Sequence, residues 1–75
     1  MDTLTQVKTI PDPVERVRAI NDAIEHGSRL HIELAAIKRE TVKEMAAEFG
    51  LGETAHRLGI SRSRVDQIVN GRRTK

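Results

Sequence analysis

The chain has no cysteine, tryptophan or tyrosine, and its single aromatic residue is Phe49. Without thiols, disulfides and thiolate metal sites are excluded, and nothing points to an oxidising compartment. Strands are usually built from β-branched and aromatic residues, and small-molecule pockets are usually lined by aromatics. A sheet fold and a hydrophobic ligand pocket are both disfavoured. Stacking platforms for single-stranded nucleic acid need the same missing rings. No apolar run approaches the roughly 20 residues of a membrane span. Met1-Asp2-Thr3-Leu4 has neither the basic start nor the apolar centre of a signal peptide, so the cytoplasm is the expected location.

What is present favours helices: Ala, Ile, Leu, Glu and Arg dominate. A chain of 75 residues makes one domain and buries only about 60 % of its unfolded surface. Stability then rests on well-packed helices or on a partner subunit. The expectation is an all-α domain of four or five helices. Residues 1–50, the scaffold and dimerisation region, carry seven Lys/Arg against nine Asp/Glu, a net of −2. Residues 51–75 carry six Lys/Arg against Glu53 and Asp66, a net of +4. Positive charge gathered in the last third suits a polyanionic partner there.

Leu4, Val7 and Ile10 recur three apart and predict a short helix from Asp2 or Thr3, ended by Pro11. Asp12-Pro13 opens the next, with Asp12 as cap and the proline at the first helical position. Val14, Val17, Ile20 and Ile24 form its stripe, with Ala23 beside it, and Gly27 stops it. One bent helix through Gly27-Ser28 is the alternative; otherwise Ser28 caps the following helix. The longest pattern runs from about Arg29 to Ala47, with Leu30, Leu34, Ile37, Thr41, Met45 and Phe49 in line, joined by Val42. Ile32, Ala35 and Ala36 lie partly off that line as a second apolar patch. Gly50 and Gly52 interrupt the pattern, and Gly71 is the final stop signal.

The segment LGETAHRLGISRSRVDQIVN, Leu51 to Asn70, fits a helix-turn-helix position by position. Its first helix runs roughly from Leu51 to Leu58, and Ser61 caps a second from Arg62 to about Asn70. Ala55 is small where the second helix crosses above it, and Gly59 suits a turn that needs a left-handed backbone. Leu58, Ile60, Val65 and Ile68 pin the helices together; Thr54 takes a fifth place where a bulkier apolar residue is usual. With Val65, Ile68 and Val69 facing inward, Ser63, Asp66, Gln67 and Asn70 point away and Arg62 and Arg64 flank them.

Arginine pairs with guanine edges and Gln or Asn with adenine. Arg62, Ser63, Arg64, Gln67 and Asn70 are therefore the expected base contacts, with Ser63, Arg64 and Gln67 foremost. Gly52, Arg57, Ser61, Arg72, Arg73 and Lys75 are the expected phosphate contacts. Asp66 could accept from a cytosine amine, but its spacing favours pairing with Arg62.

The stretch from Pro11-Asp12-Pro13-Val14-Glu15-Arg16 through IKRETVKEM to the motif resembles a widespread group of small bacterial helix-turn-helix proteins. Their DNA-binding unit is similar to region 4 of sigma factors, with RLGISRSRVDQI as the matching signature. The likeness covers nearly the whole chain and is most distinctive over its last 25 residues. It implies a transcriptional regulator or a mobile-element control protein, associated with the nucleoid. Gly50 and Gly52 depart from the Ser/Thr cap and larger residue of the pattern, which implies a looser first motif helix.

His26, His31 and His56 share no i, i+4 spacing, and no cysteine assists them, so no metal is expected. No nucleophile elbow, phosphate loop or paired-carboxylate motif suggests an enzyme or a cofactor. The long helix mixes Lys/Arg with Glu on its polar face, unlike a membrane-surface helix. The expected partners are double-stranded DNA and a second copy of the chain. The alternative is an adaptor that binds RNA polymerase or another regulator through its acidic first 50 residues.

Overall fold

Helix boundaries fall where short-range chemistry can satisfy the free backbone groups. The computed structural model describes residues 3–70. Within them lie α1 (Thr3–Lys8), α2 (Pro13–Glu25), α3 (His31–Leu58) and α4 (Arg62–Asn70), and no strand. The all-α expectation holds for these residues.

α1 closes before it reaches Pro11. The Thr9 hydroxyl donates to the Gln6 carbonyl at 2.9 Å, and the Ile10 amide to Val7 at 3.2 Å. α2 begins as the sequence suggests: Asp12 Oδ2 accepts from the Glu15 amide at 3.0 Å, and Pro13 follows the cap. At its other end Gly27 takes φ 81. Ser28 N donates to Ala23 O at 3.1 Å and Gly27 N to Ile24 O at 3.0 Å. These two bonds satisfy the last carbonyls and turn the chain, so α2 and α3 are separate helices. Ser28 does not cap α3. Its Oγ accepts from the Leu30 amide at 3.1 Å, two residues on, and Leu30 itself holds the cap position without a side-chain bond.

α3 is continuous only in its hydrogen bonding. Gly50, at φ 87 and ψ 165, leaves the helical region and divides it into a long arm, 31–49, and a short arm, 51–58. Gly52, also expected to interrupt, lies inside the short arm without doing so.

Two apolar clusters hold the helices together. Val7, Ile20 and Leu34 join α1, α2 and the long arm. Val17 and Val42 meet Ala55 and Val65, so the scaffold and the C-terminal helices share one cluster. A fully buried Val, Leu or Ile contributes about 1.5–3 kcal/mol, and Ile20, Leu34, Val42 and Val65 are all wholly buried. Ile32, in contrast, is 75 % exposed, with Ala35 and Ala36 exposed near it.

Polar bonds between helices add to this packing. Arg16 donates to the Ile10 carbonyl from Nε at 3.1 Å and from Nη2 at 2.8 Å. Its Nη1 donates to Thr41 Oγ1 at 3.2 Å. Thr41 in turn donates to Ile37 O at 2.9 Å, so this buried hydroxyl both accepts and donates. Arg39 Nε reaches the Val69 carbonyl at 3.3 Å, tying the long arm to the end of α4.

Candidate nucleic-acid interface

The short arm and α4 are set at an angle by three residues, Gly59 to Ser61. Gly59 has φ 71 and ψ 32, the left-handed conformation that the sequence anticipates. Its amide donates to His56 O at 3.3 Å, and the Ile60 amide to Ala55 O at 3.0 Å. A Cβ at Gly59 would meet nothing within 4 Å, so backbone conformation alone demands glycine. Gly59→Ala is expected to cost about 1 kcal/mol in urea unfolding, and Gly59→Asn less, because asparagine tolerates this region better. An alanine as stable as glycine would mean that the turn had relaxed.

Beyond the turn, Ser61 Oγ accepts from the Arg64 amide at 3.0 Å and starts α4. Val65 is wholly buried and Ala55 nearly so. Leu51, Leu58, Ile60, Ile68 and Val69 close around them. Thr54 is also wholly buried, and its Oγ1 has no hydrogen-bond partner.

With Val65 anchored beneath, Ser63, Gln67 and Asn70 stand exposed, as do Arg62 and Arg64. Arg64 Nη1 donates to Gln67 Oε1 at 3.1 Å, which pre-orients both side chains. Asp66 is half-buried. Its spacing favours Arg62, yet the carboxylate accepts from Asn70 Nδ2, which also donates to the Asp66 carbonyl at 3.1 Å. Asn70 would have to release these bonds to read a base.

The expected phosphate contacts are placed less uniformly. Gly52 is exposed in the first turn after Gly50. The Ser61 hydroxyl oxygen is spent on the cap, leaving its proton to donate. Arg57 braces the break in α3: Nε donates to Glu53 Oε2 at 2.8 Å, and the guanidinium lies 4.0 Å over the Phe49 ring. Arg72, Arg73 and Lys75 lie outside the described residues, as does the stop assigned to Gly71.

Lys38 is the residue that the motif did not single out. It lies midway between Leu34 and Val42, four residues from each, and both neighbours are wholly buried. A cation on the buried stripe is a signal available in the sequence. Its Nζ donates to Asn21 Oδ1 at 2.8 Å. Burial, and secondarily the charge of Arg64, push its pKa below the usual lysine value.

Of the histidines, all are exposed. His26 Nδ1 lies 2.7 Å from the Asp22 carbonyl, which, with the Asp22 charge, raises its pKa above 6.5. Among the described residues no group of three His, Asp or Glu is placed to hold a metal ion. No helix among them is long and apolar enough to cross a membrane. No family model, curated protein or solved structure matches the chain.

Proposed function

We propose that this chain binds double-stranded DNA sequence-specifically, with α4 in the major groove, as a transcriptional regulator or mobile-element control protein. One observation carries the reading: α4 buries Val65 completely while Ser63, Arg64 and Gln67 remain exposed beyond a left-handed turn at Gly59. That arrangement offers hydroxyl, amide and guanidinium donors on a narrow helix braced from behind, which is what a groove reader requires. Ser63 and Gln67 are the central base contacts, with Arg62 at one flank. The chain acts as a homodimer whose second copy covers Ile32, so that two α4 helices lie roughly 34 Å apart or a multiple of it.

Titration of duplex DNA at several salt concentrations tests this. With about six phosphate contacts the log–log salt slope is expected near −5. Selection of bound fragments from random duplexes is expected to return an inverted repeat. Binding with no salt dependence would remove the DNA reading and favour the adaptor that recognises RNA polymerase or another regulator.

A further inference from the structure

Between α2, the long arm of α3 and α4 lies an open cleft of about 550 Å³, lined by Asn21, Ile24, Glu25, Lys38, Ile60 and Arg64. Two cations enter it from different helices. Lys38 uses one of its three protons on Asn21, and Arg64 one of its five on Gln67. The ion pairs found among the described residues join Arg18 to Glu15, His26 to Asp22 and Arg57 to Glu53, and include neither cation.

We infer that Lys38 and Arg64 together hold one phosphate group, and that in the DNA complex it belongs to the backbone, so that Arg64 contacts phosphate rather than a base. The source of the phosphate rests on the DNA-binding reading above; the chemistry of the site does not.

The physical case has three parts. Lys38 is held below its ordinary pKa by burial and then by Arg64; an anion between the two replaces mutual repulsion with charge-assisted hydrogen bonds. Glu25 lines the same cleft from α2 and opposes an anion, so the two cations must outweigh one carboxylate. Arg64 also stands on the flank of α4 that faces the scaffold. A helix seated in a groove has phosphates along its flanks and base edges beneath its centre, where Ser63 and Gln67 stand. The cleft is larger than a lone phosphate needs and open to solvent, as a passing strand requires.

The experiment uses the full chain, the duplex recovered by selection and an unrelated duplex of equal length. Lys38→Gln and Arg64→Gln are each expected to weaken binding to both duplexes by a similar factor, about tenfold, and to make the salt slope shallower by about one. Lys38→Arg is expected to restore binding, whereas Gln67→Ala should weaken the selected duplex more than the unrelated one. Circular dichroism checks that each variant keeps its helix content. A loss for Arg64→Gln confined to the selected duplex, or an unchanged slope for Lys38→Gln, would overturn the inference.

A second arm needs no DNA. Inorganic phosphate is titrated against chloride at matched ionic strength while the Lys38 and Arg64 side-chain NMR signals are followed. Phosphate-specific shifts are expected in the unaltered chain, with the remaining signal's shift lost in either Gln variant. Should DNA fail to bind while phosphate moves these signals, the function reading falls and the phosphate site stands. Steep DNA binding that ignores both charges removes the site and leaves the function reading intact. Silence in both arms removes both.

Discussion

Replacing Arg16 with methionine is expected to lower the unfolding free energy by about 3 kcal/mol, read as a fall in urea midpoint at unchanged slope. Total stability for a domain of this length is roughly 4–11 kcal/mol, so the loss is a large fraction. The guanidinium makes three bonds at once: two to the Ile10 carbonyl, at 3.1 and 2.8 Å, and one to Thr41 Oγ1 at 3.2 Å. They join the segment after α1, the start of α2 and the middle of the long arm. Hydrogen bonds from a charged donor contribute about 1.5–3 kcal/mol each when well made. Shared use of one side chain keeps their sum below the simple total. Methionine preserves an unbranched apolar stem, so the measurement isolates the planar head. Arg16→Lys is expected to recover less than half of the loss, because one ammonium cannot reproduce the fork. Equal stability of the methionine and arginine forms would show that the three bonds only replace bonds to water.

Thr54→Val is expected to act in the opposite direction, stabilising the chain by about 1–2 kcal/mol. A helical threonine ordinarily donates its hydroxyl to the carbonyl four residues back. For Thr54 that residue is Gly50, whose backbone has left the helical region. The bond is not made, and Oγ1 is buried without a partner. Valine keeps the branched shape and removes the unpaired oxygen. A gain of this size corresponds to a rise in Tm of about 4–8 °C per kcal/mol for a domain this small. Thr54→Ser is the control: it keeps the hydroxyl, deletes a buried methyl and is expected to destabilise. Loss of stability in Thr54→Val would show that the oxygen has a partner in solution.

Thr54 also shows how far the sequence could be read. Its polarity at a pinning position stands out in the motif, yet the cause of its isolation lies in Gly50, whose φ of 87 no spacing rule supplies. Local signals transferred well. Asp12-Pro13, Gly27, Gly59 and Ser61 each act within five residues, and each marks a helix end in the structure. The signals that failed were those with close competitors. Ser28 closes a turn instead of capping a helix, and Asp66 has Asn70 within reach as well as Arg62. Lys38 counts with the polar face in the sequence reading, although Leu34 and Val42, four residues to either side, are both wholly buried, and no spacing rule supplies its meeting with Arg64. Arg57, expected as a phosphate contact, also pairs with Glu53 and lies over the Phe49 ring, partners that the motif pattern does not indicate.

The sequence by itself determined an all-helical chain, the ends of most of its helices and the exposed polar side of α4. These follow from periodicity and capping, which act over three to five residues and survive any arrangement of the helices. Tertiary structure alone decided that Arg16 would tie Ile10 to Thr41, that Arg39 would hold the end of α4, and that Lys38 and Arg64 would share a cleft. Those contacts depend on the angles at which helices cross. The angles are set by the joint packing of Val17, Val42, Ala55 and Val65, which no single segment contains.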